Sequence, residues 1–403
     1  MRTVLFAFLM LINPFASAQH WAFSPAIEVT KIAGPGVFHH LDSSGRRSIA
    51  VSEATVAIAW EDNRSGNPAI YLARKKLHAK QFESEIKINV SPEAYEPSIL
   101  AMDDNRFIVA WESDSKILAR AVTATSMGPI ITVSKTDGVQ VSLARNRDKI
   151  YLVYSSMEKK YQQIWLQQLR LNGQKLEKIN SCPLEKTIAK DHQFYPSITI
   201  TGNILISAWE DRRPGHTVIM AAKSTLGTPC SFSDPQQVSD PPRQRSAAYG
   251  KGHGVARVTL AAFGKHVIAV WADKRDFREG YDIYSARYTG QNKSMFGANQ
   301  KVQDSFGGIA QQWHASVAGN RAGQLIVFWD DNRDGDASIT YSRPGEKGWS
   351  DDSVVSDENS LPHQTHPSVT LDEKGNAYLV WIDRKTKNGS TRLRYAEGKF
   401  MAE

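Results

Sequence analysis

Ile58-Ala59-Trp60-Glu61-Asp62-Asn63-Arg64 is an apolar run that ends in a tryptophan and breaks into an acidic turn with an arginine. The phrase returns down the chain as Val109-Ala110-Trp111-Glu112, Leu152-Val153-Tyr154 and Ser207-Ala208-Trp209-Glu210-Asp211-Arg212-Arg213. It continues as Ala269-Val270-Trp271-Ala272-Asp273-Lys274-Arg275, Val327-Phe328-Trp329-Asp330-Asp331-Asn332-Arg333 and Leu379-Val380-Trp381-Ile382-Asp383-Arg384-Lys385. The aromatic stands at 60, 111, 154, 209, 271, 329 and 381, in steps of 51, 43, 55, 62, 58 and 52 residues. A period of this size marks a repeat architecture, in which a unit buries its apolar face only against its neighbours.

Each copy holds four short alternating segments separated by turn chemistry, the signature of strands. The first lies about ten residues before the aromatic: Arg47-Ser48-Ile49, Pro97-Ser98-Ile99, Val139-Gln140-Val141, Pro196-Ser197-Ile198, Ala256-Arg257-Val258, Ala315-Ser316-Val317 and Pro367-Ser368-Val369. The aromatic strand is second, segments such as Ile70-Tyr71-Leu72-Ala73-Arg74 third, and segments such as Glu85-Ile86-Lys87-Ile88-Asn89 fourth. Four strands per repeat predict an all-β fold, a seven-bladed β-propeller of four-stranded blades. The predicted blades cover about 46–90, 96–134, 138–181, 195–240, 253–304, 313–356 and 366–398. Only eight residues follow Tyr395, so the last blade lacks a fourth strand of its own, and residues 26–33 near the N-terminus have that strand's pattern. The N-terminal strand is expected to complete the last blade, which removes two open sheet edges.

Arg2, the apolar run Val4 to Ile12 and Ala16-Ser17-Ala18 read as an export signal over residues 1–18, leaving one domain over 19–403 in the periplasm or outside the cell. The composition, 41% hydrophobic and 23% charged, is that of a globular protein, and no later run is long enough to span a membrane. The net charge of +7 favours anionic partners, and after export an acidic glycan or envelope protein is expected rather than nucleic acid. A monomer is expected. An oxidising compartment permits Cys182 and Cys230 to pair, although sequence leaves the pairing open.

The phrase Trp-x-Asp-x-Arg, followed by an Ile-Tyr strand and a hairpin into a Val-Ser strand, resembles the bacterial repeats of the sialidase-like (BNR) propeller superfamily over nearly the whole chain. Members of that superfamily often carry an Asp-box, Ser-x-Asp-x-Gly-x-x-Trp, between third and fourth strands. Worn versions remain at Ser342-Arg343-Pro344-Gly345-Glu346-Lys347-Gly348-Trp349 and, with less retained, at Ser224-Thr225-Leu226-Gly227. For a catalytic sialidase the resemblance implies three arginines on a substrate carboxylate, a tyrosine nucleophile with a glutamate, and an acid/base. The first arginine belongs to a Phe/Tyr-Arg-Ile-Pro motif; Arg46-Arg47-Ser48-Ile49 stands there without the aromatic or the proline.

Asp62, Asp211, Asp273, Asp331 and Asp383, with Arg64, Arg213, Arg275, Arg333 and Lys385, recur in five blades, which points to a structural pair that fixes the turn after the second strand. Trp60, Trp209, Trp271, Trp329 and Trp381 are expected to fill the wedges between blades. Function is sought on the loops at the mouth of the ring. His39, His40, His192, His253, His314, His363 and His366 lie on links into first strands; a metal held by such histidines is the minor option and no cofactor is expected. The longest irregular link carries Arg243, Arg245, Tyr249, Lys251 and His253, and Arg212, Arg213, Lys274, Arg275 and Arg278 share its face. Together with His192, His314 and His366 these are the candidate ligand-binding residues for a carboxylate- or phosphate-bearing ligand. The leading expectation is a binding module for an acidic glycan or envelope partner. The alternative is a glycoside hydrolase or polysaccharide lyase on acidic carbohydrate, with Tyr249 and His253 as catalytic candidates.

Overall fold

The computed structural model describes residues 20–31, 34–41, 45–103, 105–241, 254–275, 280–291, 294–304, 308–346, 348–355 and 357–401. They build seven antiparallel blade sheets, one further two-stranded hairpin and, among the described residues, no helix, hence none that crosses a membrane. In blade four the order is Gln193–Thr201, Ile204–Asp211, Val218–Thr225 and Gln236–Gln237, each strand pairing with the next. The first strands of successive blades pack on one another around a closed ring, in which Ile49–Val51 of blade one meets His363–Leu371 of blade seven.

The closure is the predicted one, with a different extent. His20–Phe23 pairs with Gly398 to Met401, and Ile27–Glu28 pairs with Tyr395 and Arg394, so the closing strand begins earlier than residue 26 and comes in two pieces. It is held by burial as well as by the ladder: Trp21 is 2% exposed, donates its indole N–H to the Gly375 carbonyl at 2.7 Å, and meets Phe400 edge-on.

The recurring tryptophans are fully buried, between the sheets. Four of them donate to the aspartate two residues on, Trp60 to Asp62 at 2.9 Å, Trp209 to Asp211 at 3.2 Å, Trp271 to Asp273 at 2.8 Å and Trp329 to Asp331 at 3.0 Å. The same carboxylates accept the backbone N–H of Arg64, Arg213, Arg275 and Arg333 and face their guanidinium groups, so one buried anion joins core, turn and surface. Burial alone would push Asp211 up; Arg213 overcomes it and holds the carboxyl below its ordinary range. Blade seven differs from the sequence reading. The cation on Asp383 is Arg392 at 2.7 Å, from the third strand, in place of Lys385.

Blade three has no Asp-Arg pair after Tyr154, and its strands are long, Lys149–Glu158, Tyr161–Asn172 and Lys175–Pro183, where the outer strand of most blades has two residues. Cys182 at its outer end is disulfide-bonded to Cys230 of blade four, with Cα atoms 5.9 Å apart. Thiol titration of the unfolded, unreduced protein is expected to find no free thiol, and two per chain after reduction. The worn Asp-box of blade six folds as a small hairpin, Pro344–Gly345 on Gly348–Trp349, whose indole N–H donates to Ser285 of blade five at 3.1 Å.

Candidate functional site: the axial mouth

A β-bulge interrupts the first strand of blades two to seven, shifting register between Tyr95 and Ser98, Val139 and Ser142, Phe194 and Ser197, Ala256 and Thr259, Trp313 and Ser316, and Thr365 and Ser368. Ser48, Ser98, Ser142, Ser197, Thr259, Ser316 and Ser368 therefore form one column of hydroxyl residues around the axis, all buried except the half-buried Ser316. Several link neighbouring blades: Ser48 N–H donates to Ser368 at 3.0 Å, Leu260 N–H to Ser197 at 3.0 Å and Val369 N–H to Ser316 at 3.1 Å. The column corrects the alignment read from sequence in blades three and five, where Ser142 and Thr259, not Gln140 and Arg257, match Ser98.

Two residues before each hydroxyl stands the bulge residue. Glu96, Gln140, Tyr195, Arg257, His314 and His366 all have left-handed φ, between 48 and 64°. Non-glycine residues adopt that conformation at a cost of about 1–3 kcal/mol when the surroundings enforce it, and bulges of this kind re-aim side chains beside functional sites. Here a side chain from another strand captures the strained N–H. Glu61 accepts from Glu96 at 2.9 Å, Glu112 from Gln140 at 2.6 Å, Gln140 from Tyr195 at 2.8 Å, Glu210 from Arg257 at 2.8 Å and Asp330 from His366 at 3.2 Å. Four of these acceptors directly follow the core tryptophan of their blade, so the repeat that fills the core also positions the mouth.

The bulge side chains converge. Arg46, at the matching place in blade one, pairs with Glu96 and Glu112 of blade two and lies 5.8 Å over the ring of Tyr195 in blade four, a contact possible only near the axis. The Arg257 guanidinium sits 3.5 Å over the same tyrosine ring. His314 and His366 stack with centroids 3.6 Å apart, His40 lies 6.0 Å from His366, and the His314 Nδ1 meets Asp330 at 2.7 Å. Beneath, Gly45 takes φ +76° and accepts from Ser142 at 2.7 Å, while a Cβ there would stand 2.6 Å from Ser197 Cβ; only glycine lets this segment cross the axis and floor the mouth.

Burial dominates the electrostatics. It pushes Glu210 to about 7 against the pull of Arg257 and Arg212. It also pushes Glu112 up, helped by the Glu96 charge, whereas at Glu96 the Arg46 guanidinium overcomes burial and holds the carboxyl down. Burial, then His314, His40, Arg384 and Arg257, hold His366 well below its usual range, so it is neutral. Arg257 Nη1, Arg212 Nε, Arg384 Nε and His366 Nδ1 are buried with no hydrogen-bond partner among the described residues. The three unmet guanidinium donors suit an incoming anion.

The residues singled out from sequence divide. His314 and His366 are in the mouth, and Arg212 lies beside it, 4.9 Å over Phe194. His192 stacks on Phe194 further out, and His39 is buried against Thr391 and Trp60. Arg213 faces Asp211 and Glu185, Arg275 faces Asp273 and Asp240, and Lys274 lies 5.6 Å over Tyr281. Tyr249, His253, Arg243, Arg245, Lys251 and Arg278 lie outside the described residues. No group of three or more potential metal ligands is found among the described residues. A depression of about 440 Å³ lies on the outer rim between blades four and five, lined by Gln237, Asp240, Ser294 and Phe296; it holds none of the cations that gather at the axis. The sequence reading passed over Tyr195, Arg257, Glu112, Glu210 and Asp330.

Fold and site define a seven-bladed β-propeller with a charged axial mouth. No protein-family profile and no curated protein matches the chain. Among solved structures, polysaccharide lyase Uly1 is similar at 10% identity and TM-score 0.56, covering 93% of this chain and 99% of that one. A Dyadobacter fermentans protein of unknown function is similar at 9% identity and TM-score 0.51, over 93% and 100%. The sialidase of Trypanosoma rangeli superposes more loosely, at 8% identity and TM-score 0.46, over 78% and 56%. What is shared at these identities is the fold.

Proposed function

We propose that the chain is an exported propeller whose axial mouth binds a carboxylate-bearing sugar. The observation that carries the reading is the buried, unpartnered Nη1 of Arg257, held over Tyr195 by the Glu210 acceptor on its own backbone N–H. A carboxylate supplies the acceptor this donor lacks, and the aromatic and imidazole faces beside it suit the apolar face of a pyranose. On an array of acidic and neutral glycans, retention of acidic ones alone is expected, with Arg257→Ala weakening binding at least about tenfold. Equal retention of neutral sugars, or an unaffected Arg257→Ala, would overturn the reading.

A second reading, an enzyme acting on the same class of sugar, is favoured by the His314–Asp330 contact at 2.7 Å in a mouth that also holds Glu112 and Glu210, whose carboxyls burial pushes up. An oriented imidazole can take a proton and a protonated carboxyl can give one. Mass spectrometry of the retained glycan after incubation separates the two: new masses that vanish in His314→Ala mark an enzyme, and an unchanged glycan marks a binder.

A further inference from the structure

We infer that the ligand is a linear acidic glycan several sugars long, lying along a track of aromatic and cationic groups from the blade-three hairpin to the axis; this rests on the reading of the mouth above. The track is continuous. Lys160 Nζ stands 5.6 Å over the Tyr161 ring, Tyr161 meets His192 at 5.5 Å, and His192 stacks on Phe194 at 5.3 Å with planes 10° apart. The Arg212 guanidinium covers Phe194 at 4.9 Å, and Phe194 leads to Tyr195 at 6.2 Å, already inside the mouth.

The surroundings distinguish this row from ordinary packing. The recurring tryptophans are sealed, whereas Tyr161, His192, Phe194, Tyr195 and Arg212 are each only half-buried and Lys160 is exposed. His192 is held in place as a platform, because its Nδ1 accepts the Gln162 N–H at 3.2 Å. The row begins on the hairpin of the one blade whose second strand, Lys149–Glu158, carries tyrosine in place of the core tryptophan; like blade two it has no Asp-Arg pair, and its strand runs on past Ser155 into the hairpin where the track starts. Centroid steps of 5.5, 5.3 and 6.2 Å are comparable to one pyranose ring each, and Lys160, Arg212 and Arg257 place cations along it for carboxylates on successive sugars.

The test is calorimetric titration of the full chain with uronate, sialate and sulfated oligosaccharides of one, two, four and six sugars. Affinity is expected to rise at least about tenfold from one sugar to four, and Tyr161→Ala and Lys160→Ala, both at the hairpin tip, to cut that ratio about threefold or more each with melting temperature unchanged. Single sugars bound as tightly as tetramers, or a ratio untouched by either substitution, would overturn the track and leave the mouth standing. No binding at any length would overturn the mouth and the track together.

Discussion

A chain lacking residues 20–31 is expected to melt more than about 10 °C below the intact protein, and Trp21→Ala alone to remove about 3–5 kcal/mol. These residues are the fourth strand of blade seven, so their loss opens the ring at one seam and exposes the long edge of Thr391–Met401. Trp21 fills the space between Phe400 and the sheet, and Phe23 packs edge-on against Phe328 of blade six at 5.8 Å; deletion therefore uncovers two blades. Arg392 also loses Glu28, its partner at 2.9 Å, while keeping Asp383. Thermal unfolding followed by near-ultraviolet circular dichroism checks both variants. Melting unchanged by the deletion would mean that the ring does not depend on its closing strand.

The number of blades was legible because every blade needs a large buried aromatic at the same strand position, and five of them pin the following turn with an aspartate that, in four, also accepts from the tryptophan. The mouth was not, because its residues differ from blade to blade. Arg46, Glu96, Gln140, Tyr195, Arg257, His314 and His366 share a backbone position and no chemistry, and the bulge that aligns them leaves no composition signal in Val139-Gln140-Val141 or Ala256-Arg257-Val258. Placing Ser142 and Thr259 under Ser98 would have exposed the row. The acid after each tryptophan was a second signal: Glu61, Glu112, Glu210 and Asp330 face the mouth, whereas Ala272 and Ile382 break the pattern in blades five and seven. The Asp-Arg pairs looked the most chemical from sequence because they are charged, yet five copies satisfy one another and the turn.

Glu210→Gln is expected to stabilise the protein by about 3 kcal/mol at pH 8 and by almost nothing near pH 4.5. Burial raises the Glu210 pKa from 4.5 to about 7 in the folded chain. Between those values the native state holds a proton that the unfolded state has released, so stability is fully present below 4.5 and falls as pH rises through about 7. Glutamine keeps the carbonyl that accepts the Arg257 N–H at 2.8 Å and cannot ionise, so the variant loses the slope without losing the bulge. Chemical denaturation at the two pH values reads the difference directly; a constant offset would mean that Glu210 is ionised throughout. The same proton bears on the ligand. With Glu210 neutral, Arg257 and Arg212 face the mouth without a nearby anion of their own blade four carboxyl, so affinity for a carboxylate should strengthen as pH falls through about 7, until the sugar's own carboxylate is protonated. In Glu210→Gln the part of that rise owed to Glu210 is expected to disappear, leaving only what the raised Glu112 carboxyl contributes; a wild-type rise retained in full in the variant would assign it to another group.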